Sequence, residues 1–250
     1  MFSSSTPPAV VSIPCSKNWG WTAKPLNGLH FQLRAAAAAS SSSKDEIGLV
    51  PNATRWDRAS REKRWDVGFS LGVDLGHSRT GLAKSKGYCV SPLTVLKLRG
   101  QELENRLLRI AEKEEADEFI IGLPTSNFKE TTQSNIVRSI AGRLAVLAAH
   151  RGWRVYLQDE HGSTQYAMKR MINRGLSKHS RREKVDSYAA LVILERYFSM
   201  RGETAELVMP KQLELQQKLW KGPLKKDDFL EEEEEDIFSE WEHDSFGFFP

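Results

Sequence analysis

The sequence predicts an α/β fold in which a mixed five-stranded sheet is flanked by helices, with disordered extensions at both ends. Three observations carry that expectation. Apolar stretches of strand length, bounded by Gly and Pro, open the region from 66 to 200. Segments of helical periodicity then alternate with single strands. Both patterns fade before residue 66 and after Met200. The resulting order, βββαβαβα with the last helix in two pieces, is that of helices packed on a mixed sheet.

The first strand is Gly68-Phe69-Ser70-Leu71-Gly72-Val73-Asp74, and the second and third follow at 80–85 and 90–98. Residues 101–116 place Leu103, Leu107 and Ile110 at helical intervals with charges between them, the pattern of an amphipathic helix. Phe119-Ile120-Ile121 is a short fourth strand ending at Gly122-Leu123-Pro124. A second helix at 132–150 leads to a fifth strand at 154–158, which stops at Asp159 and Glu160. Helices resume at 164–174 and 182–200.

The flanks differ in composition. Residues 1–43 contain no acidic side chain, are rich in Ser and Ala, open with Ser3, Ser4 and Ser5, and hold a single arginine, Arg34. That is the composition of an organelle transit peptide, nearer the plastid kind than the Arg-rich mitochondrial kind, so the chloroplast is the expected compartment and the mitochondrion the alternative. Residues 44–65 read as a charged linker, and 201–250 as an acidic tail. The net charge of +3 hides this division: 1–63 carry 8 basic and 4 acidic side chains, 64–200 carry 22 and 15, and 201–250 carry 6 and 14. A basic middle attracts phosphate backbones, although a moderate excess also suits an ordinary solvated surface. Cys15 and Cys89 lack the paired spacing of a zinc site or a disulfide framework, which fits a reducing compartment. No apolar run approaches the roughly 18–20 residues that span a bilayer, so no membrane segment is expected.

Three carboxylates are candidates for chemistry. Asp74 ends an apolar strand between Gly72 and Gly76, where it is either a turn residue or a site residue. Glu160 ends the fifth strand in the same manner, and strand ends are where open α/β sheets bind ligands. Asp186 shares a helical face with Ala189, Ala190, Ile193 and Tyr197, so it points inward. An inward carboxylate needs a metal, a basic partner such as Lys184 or Arg182, or an N-cap role.

Gly-x-Asp-x-Gly on the first strand, Asp-Glu closing the fifth, and Lys184-Val185-Asp186 before Ala189-Ala190 together resemble the YqgF family. The likeness runs from Gly72 to about Phe198. It includes Arg79, Gly81, the Gly122-Leu123-Pro124 turn, and Val137-Arg138 with Arg143-Leu144. The resemblance implies an RNase H-like fold and a nuclease acting on precursor ribosomal RNA or branched DNA. It implies a catalytic site of Asp74, Glu160 and Asp186 holding Mg²⁺ or Mn²⁺. Arg79, Lys184, Arg182 and Arg138 are the candidate nucleic-acid contacts, with Arg79 and Lys184 equally readable as exposed basic residues. Resolution of a DNA junction would further require a homodimer; a non-catalytic nucleic-acid-binding module is the alternative from another class. The chain departs from the family in placing His161-Gly162 after the acid pair, and Phe128 and Thr131 where loop glycines are usual. The tail, with acids from 227 to 236 followed by Phe238 and Trp241, is expected to be solvated, to lie across the basic core, or to bind a protein partner.

Overall fold

In the computed structural model, residues 49–56, 68–87, 89–126 and 129–223 are described. Strand β1, Phe69–Leu75, alternates its side chains between two covered faces and forms the centre of the sheet. It pairs antiparallel with β2, Thr80–Lys86, which pairs in turn with β3, Cys89–Leu96. On its other side β1 pairs in parallel with β4, Ala116–Leu123, and β4 pairs in parallel with β7, Arg154–Asp159. Between these, β5 (Thr125–Ser126) and β6 (Lys129–Glu130) make a small separate ribbon.

Helices α1, Gly100–Lys113, and α2, Thr132–Ala149, cover one face of the sheet. Leu103, Leu107, Val137, Ala141 and Leu144 are buried there against Leu71, Val73, Phe119 and Ile121. The other face is covered by α3, Ser163–Asn173, and α4, Lys178–Ser199. From Val185 to Leu194 nearly every side chain of α4 is buried, as a helix apolar all round must be. It approaches β1 very closely, since a Cβ on Gly72 would lie 2.6 Å from Leu194 Cγ and 2.8 Å from the Ala190 carbonyl oxygen.

The expected five strands are one short. Glu206–Leu207 forms β8, antiparallel to β7, and makes a main sheet of six strands in the order β3-β2-β1-β4-β7-β8. Two residues carry too little periodicity to be seen in sequence; pairing with β7 creates the strand. Beyond it, α5, Leu213–Lys221, buries Leu215 and Leu219 against Ala149 of α2. The helix expected at 182–200 begins four residues earlier, at Lys178, where the Ser177 side chain accepts from the Ser180 amide.

Part of the segment read as a linker is built into the core. Asn52 is fully buried at the end of the sheet where β1, β4 and β7 begin. Its backbone N–H donates to Glu118 Oε2 at 3.0 Å, and its side-chain amide donates to Asp117 Oδ1 at 2.5 Å and accepts from Arg154 Nη2 at 3.0 Å. Arg154, also fully buried, reaches Val50 O at 2.8 Å and lies 3.1 Å from Asp117 and 3.7 Å from Glu118. Buried charges of both signs are thus satisfied by one another and by residues 50–52. The transit-peptide reading of 1–43 and the acidic run from 227 lie outside the described residues. No helix among the described residues is long and apolar enough to cross a membrane.

Candidate active site

β1, β4 and β7 run in parallel, so their C-terminal ends meet at one edge of the sheet. Asp74 is the penultimate residue of β1, opposite Gly81 in the β1–β2 register. Glu160 is the first residue past β7, and its N–H donates to Leu123 O of β4 at 3.1 Å. The two acids therefore stand on strands separated by β4, about 9–10 Å apart at the backbone. Gly122 of β4 leaves the space between them open. A Cβ there would fall 2.2 Å from Glu160 Oε2, so Glu160 reaches across β4 through the volume of the missing side chain.

Asp186 arrives from above on α4. A Cβ on Gly81 would sit 2.0 Å from the Asp186 carbonyl oxygen, so only glycine lets the helix backbone rest on β2 at this point. Since Gly81 is the register partner of Asp74, the approach sets Asp186 beside Asp74. Asp186 is the ninth residue of α4, which rules out the capping role considered from sequence; Ser177 is the cap.

The electrostatics bind the three acids into one group. Burial, and then the charge of Asp186, push Asp74 up from 3.8 to about 7. Burial, followed by the charges of Asp74 and Asp159, push Glu160 up to about 8 against the opposing pull of Arg196. Asp186 is also raised by burial, with Arg79 working the other way. Asp74 is the middle member, coupled to both neighbours. Glu160 Oε2 and Asp186 Oδ2 are buried without hydrogen-bond donors. Asp186 Oδ2 does lie 2.9 Å from Arg79 Nε, an ion pair that is off the line of a hydrogen bond. Among the described residues no group of three His, Cys, Asp or Glu side chains stands close enough together to hold a metal ion as placed.

The expected phosphate contacts divide. Arg79 is at the site, paired with Asp186 and donating from Nη1 to the Arg182 carbonyl at 3.1 Å. Arg182 and Lys184 present exposed side chains on the early turns of α4, the helix that carries Asp186. Arg138 is committed elsewhere, in a two-pronged ion pair with Glu206 of β8 at 2.8 and 2.9 Å. His161 is exposed, and its carbonyl accepts from Arg196 Nη2 at 2.5 Å while Asp159 O accepts from Nη1 at 3.2 Å. Arg196 thus holds the 159–161 turn that presents Glu160. Sequence reasoning missed it, though it lies ten residues after Asp186 on the same helix. Thr131, one of the departures from the family, is the N-cap of α2, accepting from the Ser134 amide. Phe128 lies outside the described residues.

Residues 68–200 match the RuvX family, described as Holliday junction resolvase. The chain belongs to this family. A relative from Chlorobium phaeobacteroides (strain BS1), a candidate pre-16S rRNA nuclease by name, is 30% identical over 135 residues, covering 53% of this chain and 92% of that one. One from Frankia casuarinae with the same name is 35% identical over 141 residues, covering 54% and 69%. The solved RuvC of T. thermophilus in complex with a Holliday junction substrate matches at 18% identity and a TM-score of 0.38, covering 56% of this chain and 99% of that one. RuvX membership accords with the YqgF resemblance and with the expected RNase H-like sheet, here with its sixth strand.

Proposed function

We propose that this RuvX-family chain is a divalent-metal-dependent nuclease whose site is Asp74, Glu160 and Asp186, and that it matures ribosomal RNA precursors in the plastid. The observation that carries the reading is the coupled row of carboxylates at the strand ends, two of whose buried oxygens have no donor. Three acids held together at a cost in repulsion are a poor device for stability and a good one for receiving positive charge. The donor set is all oxygen, which suits Mg²⁺ or Mn²⁺. Asp74 and Glu160 would hold the cation from β1 and the turn after β7, and Asp186 from α4. When bound, such ions activate water and stabilise the leaving oxygen of a phosphodiester.

The chain's own groups supply the rest. Arg79 holds Asp186 in place and exposes part of its guanidinium at the edge, where a phosphate oxygen can take over. Arg182 and Lys184 extend that positive margin, and Arg196 keeps Glu160 on its turn. The preference for RNA over branched DNA follows the names of the relatives. The family's description favours a second reading, junction resolution by a homodimer. Labelled structured RNA and four-way DNA offered to the full chain, with and without Mn²⁺, test both. Cleavage by the wild type and none by Asp74→Asn, with substrate binding retained, is the expected result. Cutting by the variant at the wild-type rate would overturn the site, and metal-independent cutting would overturn the chemistry.

A further inference from the structure

One residue beyond Asp74 the chain begins to line a different space. Side chains alternate along β1, so Asp74 faces α4 while Leu75 faces α1 and α2. There, at the same edge of the sheet, lies a cavity of about 270 Å³. Its walls are apolar: Leu75, Leu98, Leu103, Ile136 and Ile140. Ile136 is 46% exposed, a large hydrophobic side chain left uncovered at the margin. The polar groups are few and differ in kind. Gln133 donates from Nε2 to the Leu75 carbonyl at 3.2 Å, which settles the orientation of its amide, because that carbonyl can only accept. Its Oε1 is then left buried with no donor. His77 and Arg99 belong to the lining as well, and both are exposed.

We propose that this cavity receives one unpaired nucleobase of the substrate strand whose phosphate lies at the carboxylates. Apolar walls suit the faces of a base, and an orphaned acceptor suits the N–H on its edge. An imidazole and a guanidinium at the margin are groups on which bases stack and to which phosphates bind. The volume falls below the roughly 300–1,000 Å³ of pockets for drug-sized ligands, giving room for one ring system and not for a base pair. Continuity through Leu75-Gly76-His77 joins the cavity to Asp74, so a single strand crossing the sheet edge would place a phosphate on one face and a base on the other. Gln133 is then a specificity-determining residue. A base presenting a donor fills its vacancy, and a strand without one leaves it open.

The inference rests on the acids being a nucleic-acid site, and its test is made in EDTA so that binding is read apart from cleavage. Fluorescently labelled single-stranded RNA and the same strand with its bases removed are titrated into the full chain. Removing the bases is expected to weaken binding about tenfold, the effect of losing a buried hydrogen bond together with base packing. Gln133→Met and Ile136→Trp, the second filling the margin of the cavity, are expected to weaken the base-bearing strand by a similar factor and leave the abasic strand unchanged. Thermal melting of each variant guards against misfolding, which would lower both affinities together. Equal affinity for the two strands in the wild type overturns the proposal, as does unchanged preference in both folded variants. If base-dependent binding persists while Mn²⁺ elicits no cleavage, the nuclease reading fails and the pocket stands. If cleavage occurs with base-independent binding, the reverse holds.

Discussion

Replacing Asp74 with Asn is expected to stabilise the metal-free protein while destroying its activity. Folded, the Asp74 carboxyl holds its proton up to about pH 7 instead of 3.8. The folded state therefore binds more protons than the unfolded state across that interval. This contribution to stability is fully present below about pH 4 and is lost as pH rises through about 7. At about 1.4 kcal/mol per pH unit, the displacement corresponds to at most about 4 kcal/mol. Solvent at the open sheet edge and proton sharing among the three acids reduce this to about 2 kcal/mol. Asparagine keeps the shape and has no proton to lose. In EDTA, Asp74→Asn is expected to melt about 4–8 °C above the wild type at pH 8.5, with the gap closing toward pH 4. Saturating Mn²⁺ should reverse the order, because a cation that binds only the folded wild type adds about 2.7 kcal/mol at a hundredfold excess over its Kd. Differential scanning calorimetry at several pH values, with and without metal, measures all of this. A variant that melts at or below the wild type at pH 8.5 in EDTA would refute the view of these acids as a repelling cluster.

Other expectations follow from particular contacts. Gly122→Ala should cut activity at least tenfold with a smaller loss of stability, because the new methyl meets the movable Glu160 carboxylate, whereas Gly81→Ala meets the α4 backbone and should lower Tm markedly; parallel melts and cleavage rates compare them. Asn52→Ala should destabilise the fold by about 2–4 kcal/mol in urea titrations, since it strips partners from buried Asp117 and Arg154. Arg138→Ala, which breaks the Glu206 pair, should leave nucleic-acid affinity within about twofold, while Arg182→Ala with Lys184→Ala should weaken it and flatten its salt dependence. Removing residues 227–250 should tighten nucleic-acid binding at low salt if the acidic tail competes for the basic core; equal affinity across a salt series would exclude that competition.

Sequence alone determined the central features of this protein. The apolar stretch of β1 dictates a strand that carries Asp74 at its C-terminal end region, and the periodicity of 132–150 and of Asp186 to Tyr197 dictates helices with defined inner faces, because period and length are local properties of the chain. The acids could be named because each closes or faces such an element. Tertiary structure decided what depends on residues distant in sequence. It set Gly122 as the gap through which Glu160 reaches Asp74, and Gly81 as the seat of α4. It chose Arg79 in place of Lys184 or Arg182 as the partner of Asp186, and it diverted Arg138 to Glu206. It also drew Asn52 into a buried charge network and made a strand of Glu206–Leu207. None of these has a local signal, because a glycine's missing side chain or an arginine's choice of carboxylate acquires meaning only when another element is brought within a few ångströms of it.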